Sequence, residues 1–243
     1  KSKLPKKFKE INDNDTKLNV LATNIGKDKI CYHSSNTIAR IKRGSIITDC
    51  LELDLVIDNN NFFIYHPPKE NIDLTLDDVM KNLNQVKSLW IDAKNLNETN
   101  CDSFFKKIIS IKKDLSIFVE FPSETNLKND DIKSCMKNLR KNNIDVSYYL
   151  SNVLIDKCLE KLSKENQDCK RLLKKVNLID GKADINNVSF DFKFNKIMNL
   201  FNYKPKNIKL NTWHIDFEEV KNLNMKLYNF VIPYNSKFNA NIY

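Results

Sequence analysis

Two acidic residues, Glu52 and Asp54, stand in the apolar run CLELDL at positions 50–55 of this 243-residue chain. Side chains alternate across a β-strand, so the two carboxylates would share one face and the leucines the other. Two adjacent buried anions are costly without a cation, and a hard divalent ion, Mg²⁺ or Ca²⁺, is the natural compensation. The alternative is an edge strand whose polar face lies in water.

The same alternation recurs in the run LWIDAK at 89–94. Trp90, Asp92 and Lys94 would share a face, so Asp92 could be a third metal ligand, with Lys94 beside it as a point charge for a phosphate oxygen. A purely structural Asp–Lys pair is the alternative. Glu120 ends the next predicted strand and would point the same way.

The three histidines, His33, His66 and His214, each fall at the C-terminal end of a predicted strand. A parallel barrel builds its active site at that end, and histidine is the most frequent general acid or base. Taken singly, each could equally be a structural histidine. Their shared placement favours functional roles for His33 and His66.

The elements that would position these residues are short β-type runs alternating with longer amphipathic runs. Thr75 and Asp78 predict a capping box, and Gly44 a helix stop. Strands are predicted at 29–33, 48–57, 62–66, 88–94, 115–121, 144–150, 187–192, 208–214 and 225–232, and helices at 36–43, 75–87, 99–113, 130–142, 151–175, 193–203 and 216–223.

The run at 62–66 follows its predecessor too closely for a helix, so it is predicted to be a hairpin-like extension of the second strand. The other eight strands fit the staves of a (β/α)8 TIM barrel, for which a length of about 250 residues is typical. A doubly wound open sheet is the rival fold, but no glycine-rich phosphate loop follows the first strand. Residues 1–27 are predicted to form an N-terminal extension packing on a single barrel domain, 28–243.

The formal net charge of +9 comes almost entirely from lysine. A nucleic-acid reader would more often cluster arginine with aromatic residues, so we interpret the charge as a solvated basic surface and expect no specific nucleic-acid partner. Weak peripheral contact with an anionic membrane is the alternative use of that charge. We expect a monomer.

Six cysteines lack the spacing of a zinc site. Cys158 and Cys169 are close enough to close a loop in an oxidising compartment, whereas Cys31 and Cys50 are predicted to be buried thiols. Because the sequence begins with lysine rather than methionine, we expect that an upstream segment was removed. A secreted, periplasmic or membrane-tethered location is therefore favoured over a cytoplasmic one.

Taken in order, these residues resemble the glycerophosphodiester phosphodiesterase-like branch of the phospholipase-C-like barrels. The Asp of the D-x-K pair is similar to the sphingomyelinase D arrangement, and Trp213 to a tryptophan near the mouth in that group. The closest likeness in motif is to the menorin family, in the segments HSSN at 33–36, ELD at 52–54, HPP at 66–68, DLTL at 73–76 and IDAK at 91–94.

The resemblance implies a metal-dependent phosphodiesterase that hydrolyses or cyclises a glycerophosphodiester or phospholipid-like substrate. His33 and His66 would be the acid and base. One Mg²⁺ or Ca²⁺ would be held by Glu52, Asp54 and Asp92, and the substrate would be contacted by Lys94, Asn36, Glu120, Trp213 and His214.

The chain departs from the phosphodiesterase pattern at two places. The His-Arg-Gly typical of these enzymes is His33-Ser34-Ser35 here, so a phosphate-gripping arginine is missing, and Pro67 replaces the Asp that follows the second histidine. Both departures favour a second hypothesis, a catalytically silent menorin-like barrel that binds a protein, a lipid headgroup or a glycan. A third, nucleic-acid binding through the basic surface, predicts affinity that falls steeply with salt.

Overall fold

The computed structural model describes residues 6–112 and 114–233, and within them strands and helices alternate along the chain. The strands are β1 (Cys31–Tyr32), β2 (Cys50–Asp58), β3 (Asn61–Ile64), β4 (Ser88–Ala93), β5 (Ser116–Phe121), β6 (Asp145–Tyr149), β7 (Asn187–Asp191), β8 (Lys209–Ile215) and β9 (Tyr228–Pro233). The helices are α1 (Lys6–Ile25), α2 (Ile38–Ile47), α3 (Leu76–Asn82), α4 (Cys101–Ile111), α5 (Asp130–Lys141), α6 (Asn152–Glu160), α7 (Gln167–Asp180), α8 (Phe194–Phe201) and α9 (Phe217–Val220).

Eight parallel strands form a nearly closed barrel in the order β1-β2-β4-β5-β6-β7-β8-β9. The seam lies between the first and last staves, where Ile30 bridges Val231 and the Val231 N–H donates to the Lys29 carbonyl at 2.9 Å. The predicted (β/α)8 TIM barrel is thus confirmed. β3 lies outside the barrel order and pairs antiparallel with β2, as the hairpin interpretation of 62–66 predicted.

Strand β2 shows how the sequence pattern builds the interior. Its leucines at 51, 53 and 55 are fully buried in the main core, while Glu52 and Asp54 lie on the other face and are only 4% and 2% exposed. β2 pairs with β1 and with β4, so the alternative of an edge strand with its polar face in water is wrong. The carboxylates therefore face the barrel axis. A layer of apolar side chains also lies on that inner face, formed by Cys31, Cys50, Trp90, Phe118, Phe230 and Ile232.

All six cysteines are paired in disulfides. Cys31 and Cys50, predicted to be buried thiols, are bonded to each other across adjacent strands, where they are register partners, so that prediction was wrong. Strand pairing, which the sequence spacing does not reveal, brings the two sulfurs together. Cys158 and Cys169 are joined, closing the turn between α6 and α7. The third disulfide, Cys101–Cys135, links α4 to α5.

Two predictions about helices were wrong. The stretch 151–175 is two helices, α6 and α7, because Asn166 ends one and starts the other: its amide donates to the carbonyls of Cys158 and Lys161, and its side-chain oxygen caps α7 at the Asp168 N–H. Gly44 is not a stop but lies inside α2, which runs to Ile47.

The remaining predictions concern the periphery. The capping box of Thr75 and Asp78 is present at the start of α3. Within the region predicted as an N-terminal extension, α1 buries Leu18 and Leu21 against the core, and Asp15 pairs with Arg43 of α2. None of the described helices is long and apolar enough to span a bilayer.

Candidate active site

A cavity of about 550 Å³ opens at the C-terminal ends of the strands. Its wall gathers every residue that the sequence singled out except Asn36. The lining residues are His33, Ser34, Glu52, Asp54, His66, Pro67, Trp90, Asp92, Lys94, Glu120, Pro122, Glu124, Tyr149, Asn152, Trp213, His214 and Ile232.

Three carboxylates in this cavity meet the spacing of a metal site. Glu52, Asp54 and Asp92 each place an oxygen within 4.8 Å of the other two. The register of β2 and β4 causes this convergence, because Asp54 stands directly opposite Asp92. Oxygen donors of this kind suit Mg²⁺ or Ca²⁺.

The loop after β1 holds the two β2 carboxylates. The Ser34 N–H donates to Glu52 at 2.5 Å, and Asn36 is bonded to Asp54 twice, donating from Nδ2 to Oδ2 at 2.5 Å and accepting the Asp54 N–H at 3.0 Å. Arg40 of α2 fixes the same loop by donating to the carbonyls of His33 and Ser34. Asn36 therefore positions a carboxylate in this structure; the role in substrate contact stays a prediction.

Lys94 lies between two of the acidic groups. Its ammonium is 2.7 Å from Asp54 Oδ1 and also pairs with Asp92 Oδ2. Burial works against the charged amine, but the surrounding carboxylates outweigh it and raise the pKa of Lys94 above its usual value. Burial raises the pKa of Glu52, and the charges of Asp54 and Asp92 raise it further, so these groups repel one another strongly.

The charge balance of the cavity calls for a further cation. Among the described lining residues Lys94 is the only lysine or arginine, and it faces five carboxylates, those of Glu52, Asp54, Asp92, Glu120 and Glu124. Glu120 is 3% exposed and its Oε2 has no hydrogen-bond partner. Burial raises the pKa of Glu120, and Asp92 adds to the effect. The donor set and this excess of negative charge fit a divalent cation.

The first two histidines flank the carboxylates from the β1 and β3 sides. His33 directly follows β1, with Nε2 3.9 Å from Glu52, and burial lowers the pKa of its imidazole. His66 is exposed and lines the same cavity, with Nδ1 2.5 Å from the carbonyl oxygen of Pro67.

The third histidine has an acidic partner that the sequence analysis missed. His214 Nδ1 lies 2.9 Å from Oδ2 of Asp191, the last residue of β7. A carboxylate at the C-terminal end of a predicted barrel strand was the signal that could have found it. Tyr149, Asn152 and Glu124 also line the cavity and were not anticipated.

Fold and site together define a TIM barrel with an acidic mouth flanked by histidines. No family model matches the chain, and no curated protein matches it in sequence. Among solved structures, the chain is similar to a phosphodiesterase of Oleispira antarctica in complex with the product sn-glycerol-3-phosphate, at 13% identity and a TM-score of 0.51, over 84% of this chain and 92% of that one. At this identity the likeness supports the fold, a TIM barrel of the type found in that phosphodiesterase.

Proposed function

We propose that the chain is a metal-dependent phosphodiesterase acting on a glycerophosphodiester or a phospholipid-like headgroup. The convergence of Glu52, Asp54 and Asp92 beside His33 is the observation that carries the proposal. A phosphodiester is an anion, and a cavity with five carboxylates and one ammonium would repel it without a divalent cation. The structural likeness to a phosphodiesterase that binds sn-glycerol-3-phosphate supports the same class.

In this mechanism Glu52, Asp54 and Asp92 would hold one Mg²⁺ or Ca²⁺. When bound, the ion supplies Lewis-acid polarisation of the phosphoryl oxygen and neutralises charge that develops there. Lys94 would bind a phosphoryl oxygen as a point charge. His33 would accept the proton of the nucleophile, which is water in hydrolysis or a substrate hydroxyl in cyclisation, and a second histidine of the cavity, His66 or His214, would be the other acid–base group.

The substrate would also contact Glu120 and Trp213, which both line the cavity. Trp213 packs on Tyr149 with ring centroids 5.3 Å apart. Peripheral contact of the lysine-rich surface with an anionic membrane stays a prediction, as does the monomeric state.

The first test measures calcium binding by titration calorimetry, and hydrolysis of glycerophosphocholine and lysophosphatidylcholine with added Mg²⁺ or Ca²⁺. We expect Glu52→Gln to abolish binding, because it removes one of three charged ligands. His33→Ala should keep binding and lower kcat by about 100-fold or more. Glu218→Gln, at an exposed carboxylate paired with Lys221, is the matched control and should change neither.

Unchanged turnover in His33→Ala, or undiminished calcium binding in Glu52→Gln, contradicts the proposal. The second hypothesis, a silent barrel that binds a lipid headgroup, protein or glycan, is favoured by Ser34 and Ser35 in place of an arginine. Tight calcium binding without turnover of either diester would decide for it.

A further inference from the structure

We propose that His214, held by Asp191, is the group that protonates the leaving alcohol; this inference rests on the proposed phosphodiesterase function. Three observations carry it: a local break in strand β8, the hydrogen bond between His214 and Asp191, and the position of His214 in the wall of the cavity.

The break in β8 is a β-bulge. In the pairing with β9, Trp213 stands opposite Ile232 and Ile215 opposite Pro233, so His214 is the extra residue. Adjacent side chains of a regular strand point to opposite faces, yet both Trp213 and His214 line the cavity. Bulges next to active sites commonly re-aim a side chain in this way.

The backbone conformation of His214 also indicates that the bulge turns this side chain toward the cavity. His214 has φ +57°, in the left-handed region that residues other than glycine seldom adopt. Such a conformation is unfavourable and persists where the surroundings enforce it, which is often at functional sites. The strained conformation at His214 brings its imidazole to the cavity.

Asp191 fixes the orientation of that imidazole. Its Oδ2 meets His214 Nδ1 at 2.9 Å, while its Oδ1 accepts the Lys193 N–H at 3.0 Å, just before α8. Burial alone would raise the pKa of Asp191, but the hydrogen bonds from His214 and Lys193 lower it below its usual value, so the carboxylate is charged and stabilises an imidazolium. With Nδ1 bonded to Asp191, Nε2 is the nitrogen that exchanges a proton with a ligand.

His214 and His33, the group that accepts the proton of the nucleophile, line the same cavity. His66, the other candidate acid, has no carboxylate bonded to its ring among the described contacts and places Nδ1 against the Pro67 carbonyl. The geometry therefore favours His214 over His66 as the oriented acid.

The proposed step balances as follows. A P–O bond forms between phosphorus and the oxygen of water, whose proton passes to His33. The P–O bond to the leaving alcohol breaks with its electron pair on the alcohol oxygen, which takes the proton from Nε2 of His214. The imidazolium at His33 and the neutral imidazole at His214 then exchange protons with solvent.

The test compares two esters of the same glycerol phosphate, one with choline and one with p-nitrophenol as the second alcohol. A nitrophenolate leaves without protonation, whereas an alkoxide needs the acid. We choose His214→Asn, because asparagine tolerates positive φ and can still donate to Asp191 but cannot transfer a proton. It should lower kcat on the choline ester by about 100-fold or more and on the nitrophenyl ester by less than about 10-fold.

Asp191→Asn is the second variant and should show the same selective loss in a milder form, while His66→Ala should slow both esters to a similar degree. If His214 had only a structural role, His214→Asn would slow the hydrolysis of both esters equally, and that result overturns the inference. Selective loss in His66→Ala but not in His214→Asn overturns it as well. A wild-type protein inactive on both esters refutes the phosphodiesterase itself, a distinct outcome that removes the inference with it.

Discussion

At the scale of single residues, Lys94 lies between the carboxylates of Asp54 and Asp92, so a Lys94 variant provides a direct test of the metal site. Replacing Lys94 by methionine leaves Asp54 and Asp92 facing each other without a cation. Removal of one partner from such a buried group costs about 3 kcal/mol or more. We expect Lys94→Met to lower the melting temperature in EDTA, and millimolar Ca²⁺ to recover much of the loss, because a bound ion stabilises only the folded state.

Lys87→Met is the matched control. Lys87 pairs with Asp49 at 2.7 Å, but its side chain is 74% exposed, so the substitution should change little with or without calcium. If calcium fails to raise the melting temperature of Lys94→Met, Asp92 and Lys94 form the purely structural pair that the sequence left as an alternative.

Residue patterns correctly predicted which face of the barrel the acidic side chains occupy, for a simple reason; their role as metal ligands stays a prediction. Strand alternation is strictly local, so Glu52 and Asp54 in one run and Asp92 in another were assigned to the inner face from spacing alone. Two features escaped that rule. The bond from Asn36 to Asp54 depends on how a loop folds over the barrel, and the position of His214 depends on a bulge that breaks the alternation.

At the scale of elements, Gly44 permits a close approach of α2 to the barrel. A Cβ at this position would come within 2.6 Å of Leu51 and 2.8 Å of Tyr32. Alanine is the better helix former by about 1 kcal/mol, so a net loss of stability would isolate the clash. We expect Gly44→Ala to lower the free energy of unfolding in urea by about 1 to 3 kcal/mol.

Gly181→Ala provides the comparison, because the nearest atoms to its added Cβ are carbonyl oxygens at 3.7 and 3.8 Å. That variant should unfold at nearly the same urea concentration as the wild type. Equal behaviour of the two alanine variants would mean that Tyr32 and Leu51 can move aside.

Element boundaries show where sequence periodicity stops being informative. Amphipathic periodicity continues from 151 to 175, but it cannot reveal that Asn166 redirects the chain between α6 and α7. The first stave has only two strand residues, and a bridge from Ile30 completes its pairing with β9. Such short contacts depend on the closure of the whole barrel. The local sequence pattern therefore predicts that the first strand exists but not how long it is.

At the scale of the whole molecule, the net positive charge of the chain contrasts with the acidic cluster inside the barrel, where Lys94 is the one lysine among the described lining residues. The formal net charge of +9 and the excess of carboxylates in the cavity therefore oppose each other. A positive surface attracts an anionic substrate or an anionic membrane from a distance, whereas the cavity would repel the same anion unless a cation were bound. Under the proposed function, this contrast would make metal binding a condition for substrate entry as well as for chemistry.

The pairing of every cysteine gives the last prediction, which concerns the compartment in which the chain folds. Disulfides persist in oxidising compartments, so we expect mass spectrometry of the protein secreted into an oxidising compartment to find no alkylation before reduction and six alkylated cysteines after it. Each disulfide should stabilise the fold by about 3 to 4 kcal/mol, increasing with the loop it closes. The Cys101→Ala/Cys135→Ala pair, with a separation of 34 residues, should therefore lose more stability than Cys158→Ala/Cys169→Ala, with a separation of 11. Six reactive thiols in the unreduced secreted protein would contradict the pairing.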